Sequence, residues 1–333
     1  MKLSKLFSIS IILVSTTVFA QQPIFIEGEA QGTTYHITYF DSKNRDFYYE
    51  IDSLLYAFEE SVSTYRPNSI ISRINSNEKD VEVDLYFTTC FKKAKEIWKS
   101  TDGAFDPTVY PIVNAWGWGP GKKEKIEKEK IDSILKFVGL NLIELKGNKI
   151  IKKDPRVALD FNAFAQGYSV DVVADFLNSK NITSYIVEIG GEVYAKGKQL
   201  DGSDWLIGIE QPYDNKVSGN PLKAIVKLDG KAIATSGNYR RFVVENGVKY
   251  NHHIDPKTGY PSKNNLLSAS IFSNAAITSD ATATGILVMG LKKAKKYLAK
   301  HKEIEAYIIY SDEKGNYQVY QTPGLKAFIY SEE

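Results

Sequence analysis

Hydrophobic and polar residues alternate in the early segment TTYHITYF, Thr33 to Phe40, which predicts a β-strand. The pattern then changes to the spacing of an amphipathic helix in DFYYEIDSLLYAFEESVSTY, and a second helix is predicted over Asp84 to Lys99. A third helix follows the charge-dense segment GKKEKIEKEKID and is predicted to end at about Val138. The first part of the chain is therefore expected to be mainly helical after one strand.

The middle of the chain contains short strands around one well-patterned helix. Strands are predicted at Leu142 to Leu145, Lys149 to Ile151 and Arg156 to Leu159. A helix over QGYSVDVVADFLNSKN then leads to a strand at Tyr185 to Ile189. Further strands follow, separated by the turn-forming segments DGSD, YDNKVSGN and TSGNY.

Two helices and closing strands complete the pattern. One helix is predicted to open at Asp280, and another spans Leu291 to His301. Helices and strands are intermixed without a regular βαβ repeat, so the pattern favours an α+β fold of mixed sheets with packed helices over a doubly wound sheet.

Residues 1–20, MKLSKLFSISIILVSTTVFA, have the organisation of a cleavable signal peptide. Lys2 and Lys5 precede an apolar stretch from Leu6 to Val14, and Val18-Phe19-Ala20 is a small-residue cleavage site. The apolar stretch is shorter than the ~20 residues that a membrane-spanning helix needs, and no cysteine stands at the cleavage point to carry a lipid. We therefore expect residues 21–333 to form a single exported, soluble domain in the periplasm or cell envelope.

Charge and cysteine content narrow the function classes. Lys2 and Lys5 account for two of the 42 basic residues, so 40 remain in the mature chain against 40 acidic residues. This balance gives no reason to expect nucleic acid or an anionic membrane as a partner. The one cysteine, Cys90, cannot form an internal disulfide, and its apolar neighbours favour a buried helical position.

The segment TSDATATGILVMG, Thr278 to Gly290, places one carboxylate and several hydroxyls at the start of an apolar run. Such residues are typical of a helix N-cap, where side-chain oxygens accept hydrogen bonds from unpaired backbone N–H groups. Asp280 and Thr284 are also four residues apart, so on a helix they share a face and can offer two oxygens to one hard cation. The segment alone leaves both interpretations open.

Three segments in the first half of the chain have the composition of binding loops. STYRPNSIISRIN is either a surface turn before a helix or a site in which Tyr65 stacks on a planar ring. TDGAFDPTVYPIVNAWGWG is either a buried structural loop or a place where backbone approaches a ligand closely, with Asp106 held before a proline. In LDFNAFAQGYSVD, Asp160 is either a cap or part of a ligand site, and the carbonyl of Ala163 can serve as an oxygen ligand.

Two segments in the second half carry glycines and histidines. VEIGGEVYAKG is a predicted strand with a double-glycine break, which is typical of a hairpin turn and of close ligand approach, and it is not a P-loop because no GK[ST] follows. In KYNHHIDPKTGYP, His252 and His253 lack the spacing of a helical zinc site, so a zinc enzyme is not expected. A histidine beside Asp255 remains a candidate acid or base.

Taken together and in this order, GAFDPTVYPIVNAWGWG, LDFNAFAQGYSVD, EIGGE, TSGNY, HHIDPKTGYP and SDATATG resemble the ApbE family, the FAD:protein FMN transferases. The early GTTYHITY also matches, so the resemblance covers roughly Gly28 to Gly290. It implies a T-fold-like α+β architecture of two intimately packed lobes, with FAD between them and Mg²⁺ at its pyrophosphate. It also implies transfer of the FMN half of FAD to a Thr or Ser hydroxyl of an exported acceptor protein that carries a D-x-x-[ST]-G-A-[ST]-type motif, with release of AMP.

The resemblance also implies roles for individual residues. Asp280 and Thr284 match the magnesium ligands, Ala163 matches the position that gives a backbone carbonyl, and Ala283 adjoins that shell. His252 matches the motif histidine, and either His252 or a metal-bound carboxylate such as Asp280 is the candidate that accepts the acceptor's proton. The positions that match FAD contacts are Gln31, Tyr65, Ala104, Phe105, Asp106, Asp160, Gln166 and Ile254.

Two positions depart from the family pattern, and two other functions remain open. Gln166 stands where many relatives have lysine, so one positive charge near the phosphates is absent, and His253 stands where an aliphatic residue is common. A magnesium-dependent FAD pyrophosphatase is an alternative, with water replacing the acceptor hydroxyl and free FMN as product. A non-catalytic flavin carrier is the other alternative, although carriage alone does not require paired metal oxygens.

Overall fold

The computed structural model describes residues 22–120, 126–212, 221–238, 242–245 and 248–332, and it describes side chains in these ranges except at 242–251. The predicted signal peptide lies outside the described residues. Within these ranges the helices are α1 Tyr48–Val62, α2 Ile70–Asn75, α3 Leu85–Ser100, α4 Tyr110–Ala115, α5 Lys128–Leu135, α6 Ala165–Ser179 and α7 Ala276–Lys300. Short 3₁₀ turns occur at Pro107–Val109, Leu140–Leu142 and Pro323–Ala327.

The strands of the described ranges form one large sheet and three small ones. In chain order the strands are β1 Pro23–Ala30, β2 Thr33–Phe40, β3 Ile143–Lys146, β4 Lys149–Lys152, β5 Tyr185–Ile189, β6 Glu192–Lys196, β7 Trp205–Glu210, β8 Leu222–Leu228, β9 Lys231–Gly237, β10 Phe242–Glu245, β11 Val248–Asn251, β12 Leu266–Ser273, β13 Glu305–Ser311, β14 Tyr317–Gln321 and β15 Ile329–Glu332. The large sheet has the order β1-β2-β5-β6-β9-β12-β13-β14, and every neighbouring pair in it is antiparallel. Strands β15-β8-β7 form a second sheet, and β10-β11 and β3-β4 are hairpins.

The large sheet has helices on one face and the three-stranded sheet on the other. On the helical face, Val187 of β5 packs in a cluster with α1 and α6, and Ile308 of β13 packs in a cluster with α7. On the opposite face, Ile233 of β9 and Ile309 of β13 pack with Val226 of β8. Because successive side chains of a strand point to opposite faces, one alternating pattern supplies both cores.

The alternation in the sequence explains why β2 and α3 form where they do. Tyr35, Ile37 and Tyr39 of β2 are buried, and the intervening residues are more exposed, as a strand between a core and solvent requires. Helix α3 buries residues at helical spacing, beginning with Phe87 and Cys90. It starts after Asp84, whose side chain accepts a hydrogen bond from the backbone N–H of Phe87.

One predicted strand, Arg156 to Leu159, is wrong. Arg156 lies in a turn, residues 157–159 have no regular secondary structure, and the segment joins no sheet within the described residues. The backbone N–H of Leu159 donates to Asn75 Oδ1 at 2.8 Å, and the Leu159 carbonyl accepts from Asn75 Nδ2 at 2.8 Å. The Asn75 amide therefore occupies the backbone groups that a neighbouring strand would otherwise use.

The predicted opening of a helix at Asp280 is also wrong. Helix α7 begins at Ala276, so Asp280 is its fifth residue and cannot cap its own helix. The second predicted helix, Leu291 to His301, is the continuation of α7 beyond Gly290, whose φ of 74° and ψ of 164° interrupt the helical backbone. TSGNY was expected to break the strands, yet Thr235, Ser236 and Gly237 lie within β9.

The predicted organisation as a single domain over residues 21–333, with two intimately packed lobes, stays a prediction. No helix in the described ranges combines the length and apolar character needed to cross a membrane.

Candidate active site

Helix α7 presents Asp280 and Thr284 on one face, beside the segment that leads into α6. Thr284 Oγ1 donates a hydrogen bond to the backbone carbonyl of Ala163 at 3.3 Å. Ser236 Oγ, near the end of β9, lies 3.4 Å from Thr284 Oγ1. The predicted ligand pair Thr284 and Ala163 is therefore brought together by contact between residues 121 positions apart in sequence.

Asp280 is buried and caps a helix other than its own. Its Oδ2 accepts a hydrogen bond from the backbone N–H of Gly167, in the first turn of α6, at 3.0 Å. Burial, with a smaller contribution from the negative charge of Asp171, raises the pKa of Asp280 to about 7. No hydrogen bond to Asp280 Oδ1 occurs within the part of the chain that the structure describes.

Ala283 lies between Asp280 and Thr284 in the sequence of α7, and its side chain belongs to the hydrophobic core. It is fully buried in the cluster that includes Ala269 and Ile271 of β12. Its methyl group has no lone pair to offer, so its predicted place beside the metal shell rests on the backbone alone.

The donor set suits a hard cation. A carboxylate, a hydroxyl and a backbone carbonyl, from Asp280, Thr284 and Ala163, are the oxygen ligands that Mg²⁺ prefers, together with waters and substrate phosphates. Across the described residues there is no group of three or more His, Cys, Asp and Glu side chains arranged to hold a metal. A magnesium ion at this site would thus depend on hydroxyl, carbonyl and phosphate oxygens as well as on Asp280.

The turn between β1 and β2 carries Gln31, and the first turn of α6 carries Gln166. Gln31 occupies the turn between β1 and β2 with a φ of 54°, and its buried Nε2 has no hydrogen-bond partner within the described residues. Gly190, in the turn between β5 and β6, is so close to Gln166 that a Cβ on it would lie 2.7 Å from Gln166 Nε2 and 3.0 Å from Thr33 Cγ2. The turn at Gly190 therefore connects the β1–β2 region with the first turn of α6.

The segments that carry Tyr65 and Asp160 are in contact, because Asn162 Nδ2 donates a hydrogen bond to Thr64 Oγ1 at 3.0 Å. Burial raises the pKa of Tyr110, and the negative charge of Asp160 raises it further. Burial also raises the pKa of Asp160 to about 6, although Asp160 Oδ1 accepts a hydrogen bond from the backbone N–H of Asn162 at 2.9 Å. Tyr65 is 61% exposed, so its ring is accessible for stacking.

The GAFDP segment is largely structural in its side chains. Phe105 is buried with its ring centroid 5.4 Å from that of Phe164. Asp106 is buried as well, and its oxygens accept hydrogen bonds from the backbone N–H groups of Thr108 and Leu140. Ala104 is partly exposed. The predicted FAD contacts of Phe105 and Asp106 would therefore come from backbone or from the shape of the loop, and they stay predictions.

His252 and Ile254 follow β11 in a loop that is attached to α7. The rings of His252 and His253 lie 4.0 Å apart between centroids. Ile254 is buried and forms an isolated bridge with Pro261. Farther along the loop, Asn264 Nδ2 donates to the carbonyl of Leu287 at 2.7 Å, which anchors the loop to α7 beyond Thr284. His253 is buried, and this burial, with the neighbouring His252, holds the pKa of His253 well below the usual range.

A model of the ApbE family matches residues 31–308 of this chain. The chain belongs to the ApbE family. As a member of that family, it is 35% identical over 306 residues to an FAD:protein FMN transferase of Haemophilus influenzae, a match that covers 88% of each chain. A second FAD:protein FMN transferase, from Vibrio cholerae, is 34% identical over 328 residues, with 96% of this chain and 97% of the relative covered.

Solved structures of ApbE flavin transferases are also similar to this chain. The flavin transferase ApbE from Vibrio cholerae superposes with a TM-score of 0.83 at 34% identity, over 92% of this chain and 99% of that one. The apo form of the Pseudomonas stutzeri flavinyl transferase ApbE gives a TM-score of 0.85 at 28% identity, over 96% and 100%. The predictions of an ApbE-family chain, of an α+β fold and of an enzyme are confirmed.

Sequence reasoning missed three groups of this ApbE-family site. Ser236 lies within the TSGNY motif but was given no role, and the backbone N–H of Gly167 is invisible in a sequence pattern. Asp171 was also missed: its carboxylate bonds to the first residues of α7. A signal for Asp171 was present, because it is an acidic residue in a stretch of α6 that otherwise buries Val170, Val173 and Ala174.

Proposed function

We propose that this chain transfers the FMN half of FAD to a Thr or Ser hydroxyl of an exported acceptor protein and releases AMP, in a reaction that depends on Mg²⁺. The acceptor oxygen forms a bond to the phosphorus of the FMN half. The bond from that phosphorus to the bridging oxygen of the pyrophosphate breaks, and the bridging oxygen leaves with AMP. The relatives named FAD:protein FMN transferases support this reaction class.

The observation that carries the proposal is the convergence of Asp280, Thr284 and the Ala163 carbonyl beside the first turn of α6. These are oxygen donors of the kind that hold Mg²⁺ with few protein ligands, leaving positions for phosphate oxygens. The N-terminus of a helix also favours negative charge, because its backbone N–H groups are not used within the helix. The arrangement therefore suits a metal-bound pyrophosphate.

Each protein group has a separate task in this proposal. Bound Mg²⁺ would supply positive charge to the pyrophosphate as the bond to AMP breaks. Asp280, Thr284 and Ala163 hold the metal, and Tyr65 stacks on a ring of FAD. Gln166, in the first turn of α6, offers amide hydrogen bonds where a lysine would offer a charge, so we expect phosphate binding to depend more on the metal in this chain.

The acceptor hydroxyl must lose its proton as it attacks. His252 is the side-chain candidate for receiving it, with a metal-bound carboxylate as the alternative. If His252 has this role, His252→Ala slows single-turnover transfer at saturating FAD and acceptor. An unchanged single-turnover rate would remove His252 from the proton path.

The proposed setting is the periplasm or cell envelope, after removal of residues 1–20. The organisation of that segment supports export. The proposed acceptor is an exported protein with a D-x-x-[ST]-G-A-[ST]-type motif.

The decisive experiment mixes the mature chain, FAD, Mg²⁺ and an exported substrate with this motif, and views the denatured products on a gel by flavin fluorescence. A fluorescent acceptor band that disappears when the motif threonine is changed supports transfer. Free FMN and AMP without a labelled band would instead indicate the hydrolase, and intact bound FAD would indicate the carrier.

Asp280→Asn is the matched variant for the metal assignment. Asn retains an oxygen that can accept the Gly167 N–H, so the cap of α6 is kept while the charge is lost. We expect Mg²⁺-dependent transfer to fall by at least about a hundredfold with the fold retained. Normal turnover by this variant would refute the assignment of Asp280 as a metal ligand.

A further inference from the structure

Helices α6 and α7 cap each other. Asp280 of α7 accepts from the backbone N–H of Gly167 in the first turn of α6. In return, Asp171 of α6 accepts from the backbone N–H of Ala276 at 2.7 Å through Oδ1, and from that of Ile277 at 2.9 Å through Oδ2. Ala276 and Ile277 are the first two residues of α7.

Neither helix has a side-chain cap from its own flanking residue. Phe164 precedes α6 and Ala275 precedes α7, and neither side chain makes a cap hydrogen bond. A helix whose first N–H groups lack a local acceptor must obtain one elsewhere or leave those groups to water. Asp171 supplies two acceptors at once, so it fixes both the position and the direction of the first turn of α7.

The two helices also touch at one point without side chains between them. A Cβ on Gly167 would lie 2.5 Å from the carbonyl oxygen of Ala276 and 2.7 Å from Asp280 Cβ. Glycine at this position lets the backbones approach, and the three carboxylate hydrogen bonds on either side of it resist sliding of one helix along the other. The register of α7 on α6 is therefore set at this contact.

The register matters because the site is divided between the two helices. Ala163 directly precedes α6, whereas Asp280 and Thr284 belong to α7. The 3.3 Å distance from Thr284 Oγ1 to the Ala163 carbonyl is thus a distance between two separately anchored segments. A small movement of α7 changes it directly.

We propose that Asp171 is a positioning residue of this site, which fixes the start of α7 and thereby sets the spacing between the Asp280–Thr284 face and the Ala163 carbonyl. This inference rests on the proposed function in one respect, which is that Mg²⁺ binds between these oxygen atoms. Asp171 itself touches neither the metal nor the substrate in this assignment.

The test measures Mg²⁺ binding to the mature chain with FAD present, by titration calorimetry, in wild type and in Asp171→Asn. Asn offers one acceptor oxygen, and its amide NH₂ group opposes the second backbone N–H, so the start of α7 is no longer held at both points. We expect Mg²⁺ affinity to fall by about tenfold or more, as for the loss of other residues that orient ligands. FAD binding without Mg²⁺ should change by less than about twofold, because no proposed FAD contact is removed.

Two controls separate positioning from general weakening of the fold. Asp175→Asn changes an exposed carboxylate four residues later on α6 and should leave Mg²⁺ affinity unchanged. Val226→Ala removes two methyl groups from the buried core on β8, across the large sheet from α7, and it should lower stability without altering Mg²⁺ affinity. Asp171→Glu keeps both acceptor oxygens on a longer side chain, so we expect an affinity between those of wild type and Asp171→Asn.

The outcomes are distinguishable. If wild type binds no Mg²⁺ in the presence of FAD, the proposed function fails. If wild type binds Mg²⁺ and Asp171→Asn binds it equally well, only the positioning role is refuted. If Asp171→Asn does not fold, Asp171→Glu decides: weakened Mg²⁺ affinity with a retained fold supports the role, and wild-type affinity overturns it.

Discussion

Gly167→Ala tests the close contact between α6 and α7 directly. The added Cβ would lie 2.5 Å from the Ala276 carbonyl oxygen, 2.8 Å from the Ala276 carbonyl carbon and 2.7 Å from Asp280 Cβ. Two of these are backbone atoms, which cannot rotate away as the end of a flexible side chain can. The helices must separate for the methyl group to fit.

The size of the separation follows from the distances. Ordinary contacts of a Cβ begin at 3.4 Å, so the 2.5 Å approach requires a local separation of about 0.9 Å (3.4 minus 2.5). Overpacking of this kind costs about 1–3 kcal/mol. Alanine in place of glycine in a helix returns up to about 1 kcal/mol, so we expect a net loss of about 1–2 kcal/mol in the free energy of unfolding.

The effect on activity should exceed the effect on stability. The same separation stretches the 3.0 Å hydrogen bond from Gly167 N to Asp280 Oδ2 and displaces Thr284 from Ala163. A displacement of this size in a reacting site can cost about a hundredfold in rate. Urea denaturation gives the stability loss, and single-turnover labelling of the acceptor gives the rate.

Gly285→Ala is the matched control on α7. Its Cβ would meet only side-chain atoms, with Thr101 Cγ2 at 3.1 Å as the nearest, and these can yield by a few tenths of an ångström. We expect a smaller loss of stability and a rate within about tenfold of wild type. If Gly167→Ala were as stable and as active as wild type, the argument that this contact sets the register would be refuted.

Three further predictions concern other parts of the site and core. Burial raises the pKa of Asp160 to about 6, so between about pH 4 and pH 6 the native state keeps a proton that the unfolded chain has released, and stability falls as the pH rises. The stability of Asp160→Asn relative to wild type, measured by urea denaturation, should therefore rise by about 1–2 kcal/mol between about pH 4 and pH 7, after allowance for partial exposure. A stability difference between the two proteins that does not change with pH would contradict this. Gly190→Ala strains a backbone with a φ of 66° and displaces Gln166, so it should weaken FAD binding, measured by fluorescence titration. The control is Gly202→Ala, which strains a backbone with a φ of 84° but meets no neighbouring atom, so it should leave FAD binding unchanged. The Cys90 thiol is fully buried, so a thiol reagent should label it only after unfolding, and rapid labelling of the native chain would show the burial to be wrong.

Local alternation in the sequence was sufficient to predict two neighbouring strands of the large sheet, β2 and β5. The predicted bounds of β2, Thr33 to Phe40, and of β5, Tyr185 to Ile189, are those of the structure. In both strands every second residue is buried, on the face that packs against the core. The residues of the strand itself are therefore enough to predict its bounds.

The start of α7 could not be predicted in the same way. The backbone N–H groups of its first turn donate to Asp171, which lies more than a hundred positions earlier in the sequence. Only the folded chain brings α6 and α7 together, so the residues next to Ala276 do not show where the helix begins. Asp280 had the composition of a cap but serves the first turn of α6. Likewise, the Asn75 side chain that keeps Arg156–Leu159 out of a sheet lies 84 positions from Leu159. In each case a long-range polar contact overrides the local pattern.

The placement of α7 has a consequence for how the site opens. The helix packs against α3, α6, β9 and β12, and most residues of its first half, including Asp280, are buried. Amide protons in such an element exchange with solvent mainly through global unfolding, and those of surface turns exchange through local opening. We therefore expect Asp280 and Thr284 to keep their positions while ligands enter and leave, and the turns at Gln31 and Gly190 to move.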